Sequence, residues 1–184
     1  MMLQKNRLET DDRLLKVIWV VNWQQFFDIM EELEREGVMI QVIPCDLVVC
    51  DEILDFVLDL VIEMFNSGKN IAKKLYMEYI LRFLAKTQIR EVISIMEKIS
   101  AQAYCLIVYS RSNRASVVYE NLLSEGIIKE VPIELCKTNI DRVVEVYELD
   151  KDRLTLQAKF RNQSFEEILC KAILEKISLS LISK

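Results

Sequence analysis

The run Ala103–Tyr109, AYCLIVY, contains no charged residue. A strand of this kind needs cover on both faces, which places it inside a sheet and not at an edge. Two further runs share its character. Leu14–Val21, LLKVIWVV, and Val38–Ile43, VMIQVI, are short and rich in β-branched and aromatic residues, as strands are. Segments with helical periodicity lie between and after them. This order implies an α/β (α+β) fold: a small mixed β-sheet of about four strands flanked by several helices, with a helical C-terminal tail. A chain of 184 residues fits a single domain over 1–184. Its expected parts are a loose N-terminus at 1–13, an α/β core at 14–135, and a helical tail at 136–184 packed on that core.

Helix boundaries are marked by small polar residues and glycine. Asn22 followed by Gln25 makes a capping box, which opens a helix through Arg35 with Phe26, Met30 and Leu33 inward. Gly37, Gly68 and Gly126 each follow a helical stretch, where glycine caps without steric cost. Pro44 ends the second strand, and Cys45–Cys50 reads as a short strand or a loop. A helix is expected over Asp51–Asn66. Asn70 is expected to cap the next one, and Thr87 a further helix running to about Lys98. Ser110–Ser124 reads as helical, with Arg111 and Arg114 in its first turn as an anion contact or plain surface. Ile127–Leu135 is extended or irregular around Pro132. Thr138 with Asp141 would box a short helix, Leu154–Phe160 is a further helical piece, and Ser164 with Glu167 opens a C-terminal helix.

Composition disfavours a nucleotide-binding or hydrolytic enzyme. No histidine is present, so the commonest general base and metal ligand is missing. The three glycines are used as caps, leaving none for a loop that cradles phosphate. No catalytic, cofactor-binding or metal-binding group is expected, and no small-molecule substrate. A carboxylate enzyme or metal site built on Asp51, Asp55, Asp59 and Glu63 would have to work from one helix face, and the plainer reading of that stripe is a solvated face. The five cysteines form no C-x-x-C pair and read as reduced, mostly buried residues of an intracellular protein. Ile53–Phe65 is broken by Asp55, Asp59 and Glu63, so no membrane span is expected. The charged N-terminus lacks a signal core, and the expected location is cytoplasmic.

With a net charge of −5 and a pI near 5.0, any nucleic-acid contact needs a local basic patch. The dense patch is Lys69, Lys73, Lys74, Arg82, Lys86 and Arg90. It lies on a segment more apolar than one buried stripe requires: Ile71, Leu75, Tyr79 and Phe83 align, and Tyr76, Ile80 and Leu84 widen the face. Such a helix is central or has a second dry neighbour. Glu78 and Arg82 stand in the i,i+4 order that favours a helix. The last helix is similarly apolar, through Phe165, Ile168, Leu169, Ala172, Ile173, Leu174, Ile177 and Leu181. It either docks on its own core or fills a partner's groove.

Together these pieces resemble a known family. They are IPCDLVVCDEILDFVLDLVIEMF, then NIAKKLYMEYILRFLAKTQIREVI, the strand AYCLIVY, and the tail NIDRVVEVYELDKDRL followed by SFEEILCKAILEKI. In this order they look like the small regulatory subunit of the KEOPS tRNA-modification complex, which binds that complex's kinase-like ATPase. The resemblance covers roughly Val38 to Leu181 and is most specific at Asn70, Ile71, Lys73, Leu75, Glu78, Leu81, Leu84, Gln88, Ile89 and Val92. It implies a non-catalytic protein that binds and activates the ATPase subunit and recruits tRNA by its 3′ CCA end, for threonylcarbamoyladenosine synthesis at tRNA position 37. On this reading Lys69, Asn70, Ile71, Lys73, Lys74, Arg82, Lys86 and Arg90 contact tRNA, and Ile168, Leu169, Ala172 and Ile173 contact the kinase-like partner. The alternative is an interaction scaffold of another intracellular assembly without an RNA role.

Overall fold

The computed structural model describes residues 12–182. Its fold is the mixed α/β class expected, with four strands and eight helices among the described residues. The loose start expected over 1–13 lies outside those residues as far as position 11. Asp12 and Arg13 are not loose, because they begin the first strand.

The chain forms two compact units. One comprises residues up to Val42 together with Ala103–Ile133, and the other Ile43–Gln102 with the residues from Glu134 onward. The first unit is built on a sheet of order β2-β3-β1-β4, from β1 (Asp12–Val20), β2 (Val38–Pro44), β3 (Tyr104–Ser110) and β4 (Ile128–Glu130). Strand β1 runs antiparallel to both β3 and β4. The charge-free run is therefore interior, as its composition requires, with six of its seven residues buried. Helix α1 (Trp23–Arg35) begins where Asn22 Oδ1 accepts from Gln25 N at 3.1 Å. The reverse half of that box is replaced, because the Asn22 amide nitrogen bonds Ile127 O and its side chain donates to Gln25 Oε1. Helix α5 (Ala115–Ser124) starts later than Ser110. The Asp12 carboxylate takes the Ala115 N–H at 2.9 Å, so the strand end across the sheet supplies its cap.

The second unit holds α2 (Asp51–Ser67), α3 (Leu75–Phe83), α4 (Ile89–Glu97), α6 (Ile140–Val146), α7 (Lys151–Arg161) and α8 (Phe165–Ser180). Cys45–Leu47, ambiguous in sequence, form a 3-10 turn. Helix α2 ends in a glycine cap, Gly68, at φ +66°. Ser164 and Glu167 make both bonds of their capping box, at 3.1 and 3.2 Å. Thr138 does not cap α6. Its hydroxyl donates to Val48 O, and Asn139 caps the helix instead, at 3.1 Å from Arg142 N. Leu169, Ile173 and Ile177 are buried where α8 packs with α2 and α3.

The cysteine expectation is corrected. Cys45 is bonded to Cys136 and Cys50 to Cys170, and Cys105 is a buried thiol outside both disulfides. Their Cα separations of 4.9 and 6.2 Å lie in the range that a disulfide spans. An odd count without a short-range pair conceals such links, because their partners are distant in sequence. No helix among the described residues is long and apolar enough to cross a membrane.

Candidate nucleic-acid interface

The basic stretch is arranged around a carboxylate. Helix α3 starts at Leu75, five residues after the expected cap at Asn70. Residues 70–74 instead form a bent loop held from inside. Glu78 Oε2 accepts from the amides of Ile71 at 2.8 Å and Ala72 at 2.6 Å. Its Oε1 accepts from Arg82 Nε at 2.8 Å. Glu78 lies in the first turns of α3, where the helix dipole favours an anion. Asn70 turns inward too, donating from Nδ2 to Ala72 O at 2.8 Å. The amides that a capped helix would have satisfied are therefore met by one side chain four residues into the next helix.

The end of α3 has an equally hidden cause. Ala85 adopts φ +52°, while Ala85 N bonds Arg82 O and Lys86 N bonds Leu81 O. That is the paired closure in which glycine is usual. Thr87 caps nothing, and Gln88 precedes α4 without a side-chain cap bond.

This geometry sorts the expected RNA residues. Lys69, Lys73 and Arg90 are exposed, and they carry no ion pair among the described residues. Ile71, between Lys69 and Lys73 in the sequence, is 48% exposed. Lys74 is half-buried, with its ammonium 5.5 Å above the Tyr76 ring centroid. Lys86 is held by Glu91 at 2.8 Å and Glu148 at 2.6 Å. Partial burial works against its charge, but the two carboxylates outweigh that and raise its pKa above the ordinary value. Arg82 is corrected: it is 2% exposed and paired with Glu78, so its guanidinium is not offered to a phosphate. Tyr79, on the same helix, is fully buried with its hydroxyl donating to Leu54 O at 3.0 Å, so its ring is closed to a base.

The expected partner residues are also redistributed. Ile168, Leu169 and Ile173 are buried within their own unit and are core there, not a free surface. Ala172 alone of the four keeps partial exposure. The acidic stripe Asp51, Asp55, Asp59 and Glu63 is exposed along α2. None of the four joins a cluster of metal-ligating groups among the described residues. Of the two arginines before α5, Arg114 pairs with Glu36 at 2.7 Å and Arg111 Nε donates to the Tyr109 hydroxyl at 3.4 Å.

An open cleft of about 720 Å³ in the second unit is lined by Asp46, Lys137, Asn139, Asp141, Lys151 and Glu166 among others. Arg142 engages Asp46, and Lys151 engages Asp141 at 2.5 Å. Its mixed charge gives an anion no preference over a cation.

The residue that sequence reasoning undervalued is Glu78. Its signal was present, since a carboxylate and an arginine four apart inside an otherwise apolar helix can be buried only as a pair. No family model matches the chain, and no curated protein matches it.

Proposed function

We propose that the chain is a non-catalytic regulatory subunit of the KEOPS type, which binds a kinase-like ATPase and presents a 3′ CCA tRNA end for threonylcarbamoyladenosine synthesis. Support comes chiefly from the loop at 69–74. The segment that carries the resemblance holds, in one clamped bend, two exposed lysines flanking an exposed isoleucine. Single-stranded RNA ends are held by cations on phosphates with apolar or aromatic surface under the bases. A loop fixed by a buried carboxylate offers that combination with little left to order on binding. The phosphate contacts in this reading are Lys69, Lys73 and Arg90, with Lys74 beside Tyr76. Contact with the kinase-like partner through the last helix has Ala172 available. The location proposed is the cytoplasm. The two disulfides stand against that location, because intracellular thiols are ordinarily reduced, hyperthermophile proteins excepted.

One observation favours the alternative of a scaffold without an RNA role. Arg82 and Lys86 are both committed to carboxylates, which leaves a thinner patch than the sequence offers. The deciding measurement is binding to one tRNA with its CCA end intact and with CCA removed, across a salt series. Marked weakening on removal, and a shallower salt dependence in the Lys69→Glu, Lys73→Glu double variant, are the expected results. Equal binding of both tRNAs makes the scaffold the better account.

A further inference from the structure

Helix α7 turns an apolar pair outward that neither reading uses. Leu156 is 59% exposed and Phe160 91%. Four residues apart, they share one face of the helix. At 3.6 residues per turn, Arg153 falls beside Phe160 on one flank and Lys159 beside Leu156 on the other. Arg161 follows at the C-terminal end, and Asp152 is the one acid of the helix. Arg153, Lys159 and Arg161 are exposed, and none carries an ion pair among the described residues. The other side of α7 is already used, with Leu154 and Ala158 buried and α8 its packing neighbour. A single exposed leucine is ordinary. A phenylalanine this bare, one turn from a leucine and flanked by free cations, is a patterned surface.

We propose that this face docks an acidic amphipathic segment of a partner protein, whose apolar side chains cover Leu156 and Phe160 and whose carboxylates meet Arg153, Lys159 and Arg161. The proposal rests on neither the RNA nor the kinase reading. Charge complementarity selects the acidic partner. Leu156 and Phe160 form an i, i+4 ridge that fits between the ridges of a second helix, which favours a protein over a nucleic acid.

The test uses the full chain and a fluorescent synthetic peptide of glutamates and leucines with all leucines on one helix face. A scrambled peptide of the same composition is the control. The patterned peptide binds, with affinity falling as salt rises, and the scrambled one binds at least about tenfold more weakly. Phe160→Ser weakens binding about tenfold without changing the melting temperature, since the ring is bare in the free protein. Arg153→Glu with Lys159→Glu weakens it further while leaving the fold intact by circular dichroism. No binding, equal binding of the scrambled peptide, or an unaffected Phe160→Ser overturns the proposal. Displacement of the peptide by a short oligoribonucleotide assigns the face to RNA and overturns it. So does self-association of the wild type that Phe160→Ser abolishes, which assigns the face to a second copy.

Discussion

The two units are stabilised by different kinds of information. In the first, most boundaries follow chain-local chemistry: charge-free or β-branched runs make the strands, Asn22 opens α1, and Gly37 and Gly126 close helices at positive φ, with the Asp12 cap of α5 the long-range exception. In the second, the arrangement depends on side chains that meet from far apart. Glu78 clamps amides six and seven residues earlier, the Tyr147 hydroxyl donates to Phe83 O, and two disulfides close separations of 91 and 120 residues. Apolar patterning marks the strands of such a unit and the helices that cover them. A bundle with a buried charge and non-glycine turns needs partners that no local window contains.

The largest expected effect is at Glu78. Glu78→Ala leaves the Arg82 guanidinium buried without its anion and frees the amides of Ile71 and Ala72, at a cost of about 3–5 kcal/mol. The matched control is an exposed pair in the first unit, Glu36 with Arg114. Glu36→Gln is expected to cost no more than about 1 kcal/mol. Urea unfolding gives both numbers, and hydrogen exchange at Ile71 and Ala72 localises the first. Similar costs for the two variants would dissolve the contrast between the units. Accelerated exchange confined to the loop would sharpen it.

The disulfides come next. Thiol titration of the unfolded, unreduced protein is expected to find one free thiol, Cys105, where five would mean full reduction. Cys45→Ser with Cys136→Ser is expected to destabilise the second unit by about 2–4 kcal/mol, while amide exchange in the sheet of the first stays unchanged. Sheet amides that lose protection equally would mean that the units do not unfold separately.

Legibility followed local encoding, not the division into units. Strands β1 to β3, the interior place of Ala103–Tyr109, α1 and, in the second unit, the Ser164 box were readable, because each is encoded within a few residues; the sheet order and the Asp12 cap of α5 were not. The late start of α3 was not. Asn70 is a good cap in isolation, and only the buried carboxylate of Glu78 explains why its side chain turns to Ala72 instead. The break at Ala85 was hidden because alanine occupies a conformation usually signalled by glycine. Arg82 was misjudged since its spacing from Lys86 and Arg90 describes a helix face only if α3 and α4 run on continuously. The apolar face of α8 was visible, but periodicity cannot separate Ile168, Leu169 and Ile173 packed inside their unit from the same residues facing a partner. For the basic patch, the residue types were legible and their availability was not.

The smallest expected effect tests whether the second unit's ion pairs matter once they reach solvent. Lys86 holds Glu148 and Glu91 at an edge. The Lys86 ammonium, by hydrogen bond and charge, lowers the Glu148 pKa below its ordinary value. A lowered carboxylate contributes stability above its unfolded pKa, and that contribution is lost as pH falls through the folded one. The raised pKa of Lys86 acts at the opposite end: its contribution is complete below the ordinary lysine value of 10.5 and is lost as pH rises beyond it. Lys86→Met should therefore lower stability near neutral pH by no more than about 1 kcal/mol, because Glu148 is exposed and water screens the pair. The difference between variant and wild type should shrink both in acid and above the lysine range. The tyrosines must be separated from the alkaline limb. Burial raises the pKa of Tyr147, and burial together with Glu130 raises that of Tyr119, so both wild type and variant lose stability above the ordinary phenol range near 10. Only the difference between the two curves reports Lys86. A constant difference from acid to alkali would show that the side chain stabilises through packing of its methylenes alone. The second unit would then owe its organisation to the buried Glu78–Arg82 pair and the disulfides, without help from its surface charges.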